Sequence, residues 1–288
     1  MKPHAPAPPV VETDPFRIRE LVVAARRAGR RVGFVPTMGA LHAGHASLVE
    51  RAAAECDDVV VSIFVNPKQF GPREDLDRYP RTLAADVALV GGKGARWVFA
   101  PEASTAYPAG HATSVVVAAP AADFEGAVRP GHFSGVATVV CWLFQVVPAD
   151  VAYFGAKDWQ QTVVVRRMVA DLAIPIDVEV CPTIREPDGL AMSSRNAYLS
   201  PDERRRAVAL HEGLQAAAAR WREGAEIAVV EEAIRAALLA RDIVVDYARV
   251  VDPDTLLAPG PGTAAVALVA GRLGATRLLD NILLPPRV

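Results

Sequence analysis

At 288 residues the chain is long enough for two moderate domains, and its formal net charge of −2 and isoelectric point near 6.3 are nearly balanced. This balance argues against a nucleic-acid surface, because proteins that bind a phosphate backbone usually carry a basic excess. Cys56, Cys141 and Cys181 are far apart and lack Cys-x-x-Cys spacing, which gives no indication of a disulfide framework or a zinc site and favours a reducing cytoplasm.

The N-terminal elements begin after a stretch rich in alanine and proline, residues 1–13, which we predict to be a disordered tail. Apolar residues at helical spacing then predict a helix over 14–28. The run 31–35 predicts a strand that stops at Pro36, and a second helical pattern begins near Gly44. Strand, tight loop and helix in this order form a mononucleotide-binding geometry.

The loop after this strand is suited to an anion. Gly39 and Gly44 have no Cβ, so the backbone can approach a ligand, and the helix start offers unpaired N–H groups and a positive dipole end. His42 and His45 are three residues apart, so both imidazoles face one side of the first helical turn and could donate to a phosphate. The alternative is a satisfied polar turn with a helix cap, while a metal pair lacks a third ligand nearby.

The rest of the first domain repeats the alternation of strand and helix. The apolar run 136–147 is too short for a bilayer, which needs about 20 residues, so we expect no membrane contact. The alternation predicts an α/β fold, with a Rossmann-like parallel-sheet domain over 14–185. The predicted strands are 59–65, 97–99, 114–119, 151–154 and 176–180, and the predicted helices are 82–90, 135–147 with Ser134 as its N-cap, and 158–173.

A smaller α+β domain is predicted over 186–288, after a turn-rich joint at Glu186-Pro187-Asp188-Gly189. Ser200 and Glu203 form the pattern of a capping box for a long helix that reaches Trp221. A further helix is predicted over 227–240, and strands over 244–251, 264–269 and 277–282.

Polar residues follow two of the buried strands, where open α/β sheets bind ligands. Asn66 and Gln69 come after 59–65, although an asparagine turn that opens a short helix would look the same. Lys157, Asp158 and Gln161 come after 151–154. The aspartate and glutamine also fit a helix cap, but capping does not explain the lysine, which could neutralise phosphate charge.

Two further segments carry anion-binding groups. Arg129 could fork onto a carboxylate or phosphate and has His132 close by, although most arginines are solvated surface residues. The segment Met192-Ser193-Ser194-Arg195 combines two hydroxyls with a guanidinium and could wrap an anion. A polar linker between domains would have a similar composition.

Five motifs together resemble those of a known family of enzymes. The string from Pro36 to His45 resembles the His-x-Gly-His signature of the nucleotidylyl-transferase superfamily, and it looks most like the pantothenate synthetases. The resemblance implies ATP-dependent condensation of (R)-pantoate with β-alanine to pantothenate, AMP and diphosphate, through a pantoyl-adenylate. It also implies magnesium with the triphosphate, a place in coenzyme A biosynthesis and a homodimer.

The resemblance also implies roles for individual residues. His45 and Lys157 would be the main catalytic groups, with His42 and Arg195 assisting, and Asp86 is a possible metal ligand. Gln69, Gln161, Asn66, Arg129 and His132 would bind pantoate and β-alanine. ATP would contact Pro36, Thr37, Met38, Gly39, Ala40, Leu41, His42, Ala43, Gly44, His45, Gly155, Ala156, Lys157, Asp158, Ile184, Met192, Ser193, Ser194 and Arg195.

Two positions depart from the family pattern. Ala85 and Ala156 stand where the family often has acids, which removes any role of those acids. Two alternative functions stay open: transfer of a nucleotide onto a phosphorylated acceptor, and nucleotide binding without catalysis.

Overall fold

The computed structural model describes residues 8–72 and 76–287, and its internal contacts divide the chain into two compact units. Unit 1 contains the described residues up to Gly155 and also Val164–Cys181. Unit 2 contains Ala156–Val163 and the chain from Pro182 onward. The predicted first domain ran without interruption to residue 185, whereas in the structure Ala156–Val163 groups with unit 2.

Unit 1 is built on a six-stranded parallel sheet with the strand order β1-β4-β3-β2-β5-β6. Apolar residues of α1 and α6 form one core beneath the sheet, and residues of α2 and α3 form a second core on the other face. The strands are β1 (Val10–Glu12), β2 (Val32–Thr37), β3 (Asp58–Ile63), β4 (Trp97–Phe99), β5 (Val151–Gly155) and β6 (Asp177–Cys181). The helices are α1 (Pro15–Arg27), α2 (Ala43–Glu55), α3 (Leu83–Gly91), α4 (Ala103–Ala106), α5 (Glu125–Val128), α6 (His132–Val146) and α7 (Trp159–Asp171), of which α7 starts in unit 2.

The strand order confirms the predicted Rossmann-like class and marks one edge of the sheet as a ligand site. From β2 the chain runs outward through β3 and β4, and it later returns to place β5 on the other side of β2. The direction of winding therefore reverses between β2 and β5. In open α/β sheets ligands bind outside the carboxyl ends of the strands at such a reversal.

Four local predictions for unit 1 are corrected by the structure. The predicted tail ends early, because Val10–Glu12 pairs in parallel with β4; residues 1–7 lie outside the described residues. Strand β2 does not stop at Pro36 but continues to Thr37 in register with β3. Pairing of β2 with β5 ends at Phe34, so the proline faces only one paired neighbour, which a sheet tolerates.

The other two corrections concern the approach to α6. The segment 114–119 forms no strand: residues 114–118 are irregular and a short 3-10 turn starts at Ala119. Helix α6 starts before the predicted cap at Ser134, because Gly131 takes a left-handed conformation with φ of 85° and lets the chain turn into the helix earlier.

Unit 2 is an α+β unit with a three-stranded antiparallel sheet in the order β7-β8-β9. The predicted capping box of Ser200 and Glu203 is confirmed, but the predicted long helix is broken after Arg206 into two helices. The strands are β7 (Val244–Val251), β8 (Ala265–Leu273) and β9 (Thr276–Leu284), and the helices are α8 (Pro201–Arg206), α9 (Ala209–Arg222) and α10 (Ile227–Leu239). Among the helices of the described residues, none is long and apolar enough to span a membrane.

Candidate active site

The loop that follows β2 is shaped by one glycine and one threonine. Gly39 has φ of 82°, and an added Cβ would lie 3.1 Å from Ile63 and 3.2 Å from Asp86, so only glycine fits without strain. The Thr37 hydroxyl donates to the Ser62 carbonyl oxygen at 2.6 Å and accepts the Gly39 N–H at 3.2 Å. The tight loop predicted from the glycines is therefore fastened to the end of β3.

Asp86 holds this loop from α3. Its two carboxylate oxygens accept the N–H groups of Ala40 and Leu41 at 3.1 and 2.9 Å, and also the Thr82 hydroxyl at 3.2 Å. Asp86 is almost fully buried, and both oxygens are already used. Within the described part of the chain, no three His, Cys, Asp or Glu side chains gather as a metal site would require. The structure thus gives Asp86 a structural role in holding this loop, and its ligation of a metal stays a prediction.

The two histidines of the loop cap α2 reciprocally. His42 is the N-cap, its Nδ1 accepts the Gly44 N–H at 3.1 Å, and the His45 Nδ1 accepts the His42 N–H at 3.4 Å. The ring centroids are 4.2 Å apart. A neutral imidazole that accepts at Nδ1 must carry its proton at Nε2, so both rings have a donor on the nitrogen away from the cap.

This geometry is compatible with both interpretations of the histidine pair, as a helix cap and as a donor to phosphate. It corrects the expectation that the N–H groups at the helix start are open. The cap that was the structural alternative is present, yet it leaves each imidazole in the tautomer that can donate to a phosphate. The open N–H groups expected at the helix start are partly used, because Gly44 and His42 donate to the rings and His45 donates to the His42 carbonyl at 2.9 Å.

The turn after β3 is organised by a fully buried asparagine. The Asn66 Oδ1 accepts the Lys68 N–H at 3.2 Å and the Tyr107 hydroxyl at 2.7 Å. Its Nδ2 donates to the Gln69 Oε1 at 2.9 Å and to the Gly135 carbonyl at 3.1 Å. All four hydrogen-bonding positions of Asn66 are occupied, so in this arrangement it orients Gln69 rather than contacting substrate. Gln69 is left to present its Nε2 donors.

Arg129 and His132 converge on the same turn. The His132 Nδ1 donates to the Gln69 carbonyl oxygen at 2.9 Å, and an Arg129 nitrogen donates to the same oxygen at 3.3 Å. Arg129 also donates to the His132 Nε2 at 3.1 Å and lies 3.9 Å from Glu125. The structure brings both residues to Gln69, as the prediction of a shared site requires, and gives them a role in fixing its backbone.

In unit 2, Lys157, which was predicted to neutralise phosphate charge, lies on a 3-10 turn, Ala156–Asp158, that leads into α7. This turn is called the lysine turn. The Lys157 ammonium is 3.6 Å from the Asp158 carboxylate. Gln161, one turn into α7, is half-buried. The Trp159 indole N–H donates to the Pro253 carbonyl at 2.9 Å, and two further bonds from β9 hold the turn. These bonds explain why the segment groups with unit 2.

The predicted loop from Ile184 to Arg195 is a compact hairpin and turn in the same unit. The Met192 N–H donates to the Ile184 carbonyl at 3.0 Å, and the backbones of Arg185 and Ala191 pair in an isolated antiparallel β-bridge. Ser193 caps the following 3-10 helix, Ser194–Tyr198, by accepting the Arg195 N–H at 3.3 Å. The predicted turn at 186–189 is confirmed inside this hairpin.

Sequence reasoning missed the residues that hold these groups. Tyr107 fixes Asn66, and burial raises the pKa of its hydroxyl to about 12, so it stays a donor at neutral pH. In β9, the Asn281 amide donates to the carbonyl oxygens of the lysine turn, and the neighbouring Asp280 carboxylate accepts a hydrogen bond from Arg185. Two adjacent buried polar residues between the leucines of β9 were a signal that the sequence offered.

A doubly wound parallel sheet with a histidine-capped loop at its reversal point defines the class of Rossmann-like nucleotide-binding α/β proteins. The sequence profile described as pantoate-beta-alanine ligase matches residues 11–283. The chain belongs to the pantoate-beta-alanine ligase family.

Similarity to individual members extends over almost the whole chain. The chain is 50% identical over 276 residues to pantothenate synthetase 1 of Bradyrhizobium diazoefficiens, covering 95% of this chain and 98% of that protein. The crystal structure of pantothenate synthetase from Thermus thermophilus superposes with a TM-score of 0.89 at 48% identity, covering 96% of this chain and 100% of that one. A pantoate-beta-alanine ligase from Francisella tularensis, complexed with beta-gamma ATP and beta-alanine, superposes with a TM-score of 0.79 at 31% identity, covering 96% and 97%.

Proposed function

We propose that this ligase joins pantoate to β-alanine in two steps on ATP. In the first step a pantoate carboxylate oxygen attacks the α-phosphorus, pyrophosphate leaves, and pantoyl-adenylate forms. In the second step the amine of β-alanine attacks the acyl carbon and gives up a proton to form the amide, while the acyl C–O bond breaks and AMP leaves with its electrons. The complex of the Francisella relative with beta-gamma ATP and beta-alanine supports this substrate set.

The observation that carries the proposal is that Nδ1 of each histidine of the pair accepts a backbone N–H. With Nδ1 of both rings accepting backbone N–H groups, the Nε2–H of His42 and His45 can donate to phosphate oxygens without a change of protonation state. Phosphoryl and nucleotidyl transfer depend mostly on positioning and on stabilising charge, which such donors supply. His45 is proposed as the main donor and His42 as the second.

The remaining roles are assigned residue by residue. Lys157 would neutralise the phosphates as charge develops, and Ser193, Ser194 and Arg195 would hold the leaving pyrophosphate. Asp158 and the backbone at Ile184 would contact the adenosine. Gln69 would donate its Nε2–H groups to pantoate oxygens, with Gln161 as the second amide; the orientation of Gln69 by Asn66 supports its part.

Magnesium is proposed as a companion of ATP rather than as a resident of the protein. The carboxylate of Asp86 is committed to the loop N–H groups, and the part of the chain that the structure describes offers no cluster of three ligands. Magnesium commonly keeps several waters and binds through substrate phosphates, so the triphosphate itself would be its main ligand.

The test is an omission experiment. Purified protein receives ATP, magnesium, pantoate and β-alanine, each component is left out in turn, and AMP and the amide are quantified. We expect AMP only when all four are present, and pyrophosphate exchange into ATP when β-alanine alone is omitted. ADP in place of AMP would contradict attack at the α-phosphorus. Pyrophosphate release driven by a phosphoester would favour the nucleotidyl-transfer alternative, and ATP binding without turnover would favour a binding module.

We also propose that the enzyme works in the cytoplasm as a homodimer. The three free cysteines support a reducing compartment, and the dimer rests on the resemblance of the sequence motifs to the family. Sedimentation equilibrium over a range of concentrations would give twice the 30.6 kDa chain mass if the dimer forms, and the chain mass alone if it does not.

A further inference from the structure

We propose that Asn281 is a positioning residue for Lys157, acting through the backbone of the turn that carries the lysine. The inference rests on the proposed function, which assigns the phosphates of ATP to Lys157. Asn281, Lys157 and the residues that hold them belong to unit 2.

The contact consists of two hydrogen bonds from one buried amide. The Asn281 Nδ2 donates to the Ala156 carbonyl at 2.8 Å and to the Lys157 carbonyl at 2.7 Å. Asn281 is only 5% exposed. Since both partners are acceptors, the amide orientation is fixed, and both of its N–H bonds are used. The two residues of the turn are therefore tied to β9 at consecutive peptide groups.

An ion pair fixes the backbone of Asn281 in turn. Arg185 forks onto the Asp280 carboxylate at 2.6 and 3.0 Å, and that carboxylate accepts the Asn281 N–H at 2.8 Å. Arg185 also donates to the Asn281 carbonyl at 3.2 Å. Asn281 is thus held at its N–H and its C=O by the same Arg185–Asp280 pair, which leaves its side chain little freedom to follow a shifting turn.

The same arginine connects this anchor to a second segment assigned to ATP. Arg185 directly follows Ile184 and donates to the Gly189 carbonyl at 3.0 Å, so it also holds the hairpin that contains the adenosine-contacting backbone. The network of Arg185, Asp280 and Asn281 therefore fixes the spacing between that hairpin and the lysine turn. A fixed spacing is what a ligand with adenosine at one end and phosphates at the other requires.

Stability alone is a poor reason for this network. A buried ion pair and a buried amide lose hydration, and well-packed apolar residues of similar volume often serve a fold as well or better. The other buried residues of β9 include Leu278 and Leu284, which show that this strand packs well with leucine. Ordering a catalytic turn gives the polar residues a function, because a displacement of about 1 Å can cost about a hundredfold in rate.

The test is a double-mutant cycle between the amide and the lysine. Asn281→Leu keeps the approximate volume and removes both hydrogen bonds. We expect pantoate-dependent ATP–pyrophosphate exchange to fall about 10- to 100-fold in Asn281→Leu and about 100- to 1000-fold in Lys157→Ala. If the amide acts through the lysine, the double variant should be no more than about threefold slower than Lys157→Ala.

A second readout separates positioning from general damage. Aminolysis of supplied pantoyl-adenylate by β-alanine needs no triphosphate, so Asn281→Leu should retain that rate within about threefold. The matched control is Trp221→Phe, which removes another buried side-chain bond to a carbonyl beside β9, from the indole N–H to Pro285 at 2.7 Å. This control should leave both half-reactions unchanged. Multiplicative losses in the cycle, or equal losses in both half-reactions, would overturn the proposal.

Asn281→Asp provides a variant that stays polar if the leucine variant does not fold. At neutral pH the introduced carboxylate would face two carbonyl oxygens, so exchange should fall at least as far as in Asn281→Leu. A protonated carboxyl can donate, so exchange relative to wild type should rise as the pH is lowered from 8 to 5.5. A flat ratio would overturn the proposal. Absence of exchange in the wild-type chain would instead remove the proposed function itself, and with it this inference.

Discussion

The predicted site residues of the two units are held in different ways. In unit 1, residues close in sequence hold each other: His42 pairs with His45 and Asn66 with Gln69, at the ends of two neighbouring strands. In unit 2, the lysine turn is held by Asn281, more than a hundred residues away in the sequence. The first arrangement is local only in part, because Asp86, Tyr107 and His132 also hold these loops from distant parts of the chain. The second depends on the tertiary fold of the unit.

This difference has a consequence for how each region fails. A change within a loop of unit 1 removes a donor and leaves the supporting sheet intact. A change in the β9 network of unit 2 removes no proposed catalytic group, but it alters the position of one of them, Lys157.

The largest expected effect is loss of one charged or polar donor from each unit. His45→Ala and Lys157→Ala should each lower pantoate-dependent ATP–pyrophosphate exchange about 100- to 1000-fold, because each removes a preorganised donor to the phosphates. Lys93→Ala, which breaks an exposed pair with Glu50, is the control and should leave exchange unchanged. Unchanged exchange in both test variants would remove the assigned roles.

A smaller effect is expected from Asp86, which supports the loop of unit 1 without touching ATP in our account. Asp86→Ala leaves the N–H groups of Ala40 and Leu41 without their acceptor, which should cost about 1–3 kcal/mol of stability. The KM for ATP should rise about tenfold, with little change in the KM for β-alanine.

The matched control is Asp57→Ala, which removes an acceptor for the Arg31 N–H at the opposite edge of the same sheet. It should leave the KM for ATP unchanged. A change in magnesium dependence specific to Asp86→Ala, with the KM for ATP unaltered at saturating metal, would support metal ligation instead.

The amino-terminal edge of the unit 1 sheet provides a test of stability without function. Burial raises the pKa of Asp58, but hydrogen bonds and charges from Arg30 and Arg96 outweigh it and hold the pKa below its usual value. The ionised form is thus favoured by folding. Its stabilisation is present above the unfolded pKa of about 3.9 and is lost as the pH falls through the lower folded value.

Asp58→Asn should therefore lower the free energy of unfolding by about 1–3 kcal/mol at pH 7, since both arginines are partly exposed. Urea titrations between pH 7 and 3 should show a flatter acid limb in the variant, with exchange activity per folded molecule unchanged. Parallel acid limbs would contradict this role of Asp58.

The smallest effect concerns His211 in unit 2, beside the arginine of the anchoring network. Burial lowers the pKa of His211, and the charge of Arg185 lowers it further. The folded state then disfavours protonation, so stability is retained above the unfolded pKa of about 6.5 and is lost as the pH falls through it. His211→Gln should change stability at pH 7 by less than roughly 1 kcal/mol, and it should lose less stability than the wild type on going from pH 7 to 5.5. An equal loss of stability in the variant and the wild type over this pH range would contradict this role of His211.

The elements that were predicted correctly from the sequence are those that depend on neighbouring residues. The alternation of apolar runs predicted the strands of the parallel sheet, and the glycines and capping residues predicted the loop after β2 and the start of α8. The tail prediction missed Val10–Glu12, because a three-residue edge strand is defined by its partner β4 and not by its own pattern. The strand predicted at 114–119 has the composition of a strand but no strand partner among the described residues.

For the site, the sequence identified the groups that could act but not the groups that hold them. Asn66 was predicted to bind substrate, but in the structure its four hydrogen-bonding positions are taken by other protein groups. Tyr107 and Asn281 carry no motif, since their roles arise from contacts between residues distant in the chain. Long-range polar contacts of this kind cannot be read from spacing.

An oxygen label follows the proposed attack of the pantoate carboxylate on the α-phosphorus of ATP. Pantoate carrying ¹⁸O in both carboxylate oxygens is turned over with ATP and β-alanine, and the products are analysed by mass spectrometry. We expect one ¹⁸O in the phosphate of AMP and one in the amide carbonyl. Label in inorganic phosphate, or AMP without label, would contradict it.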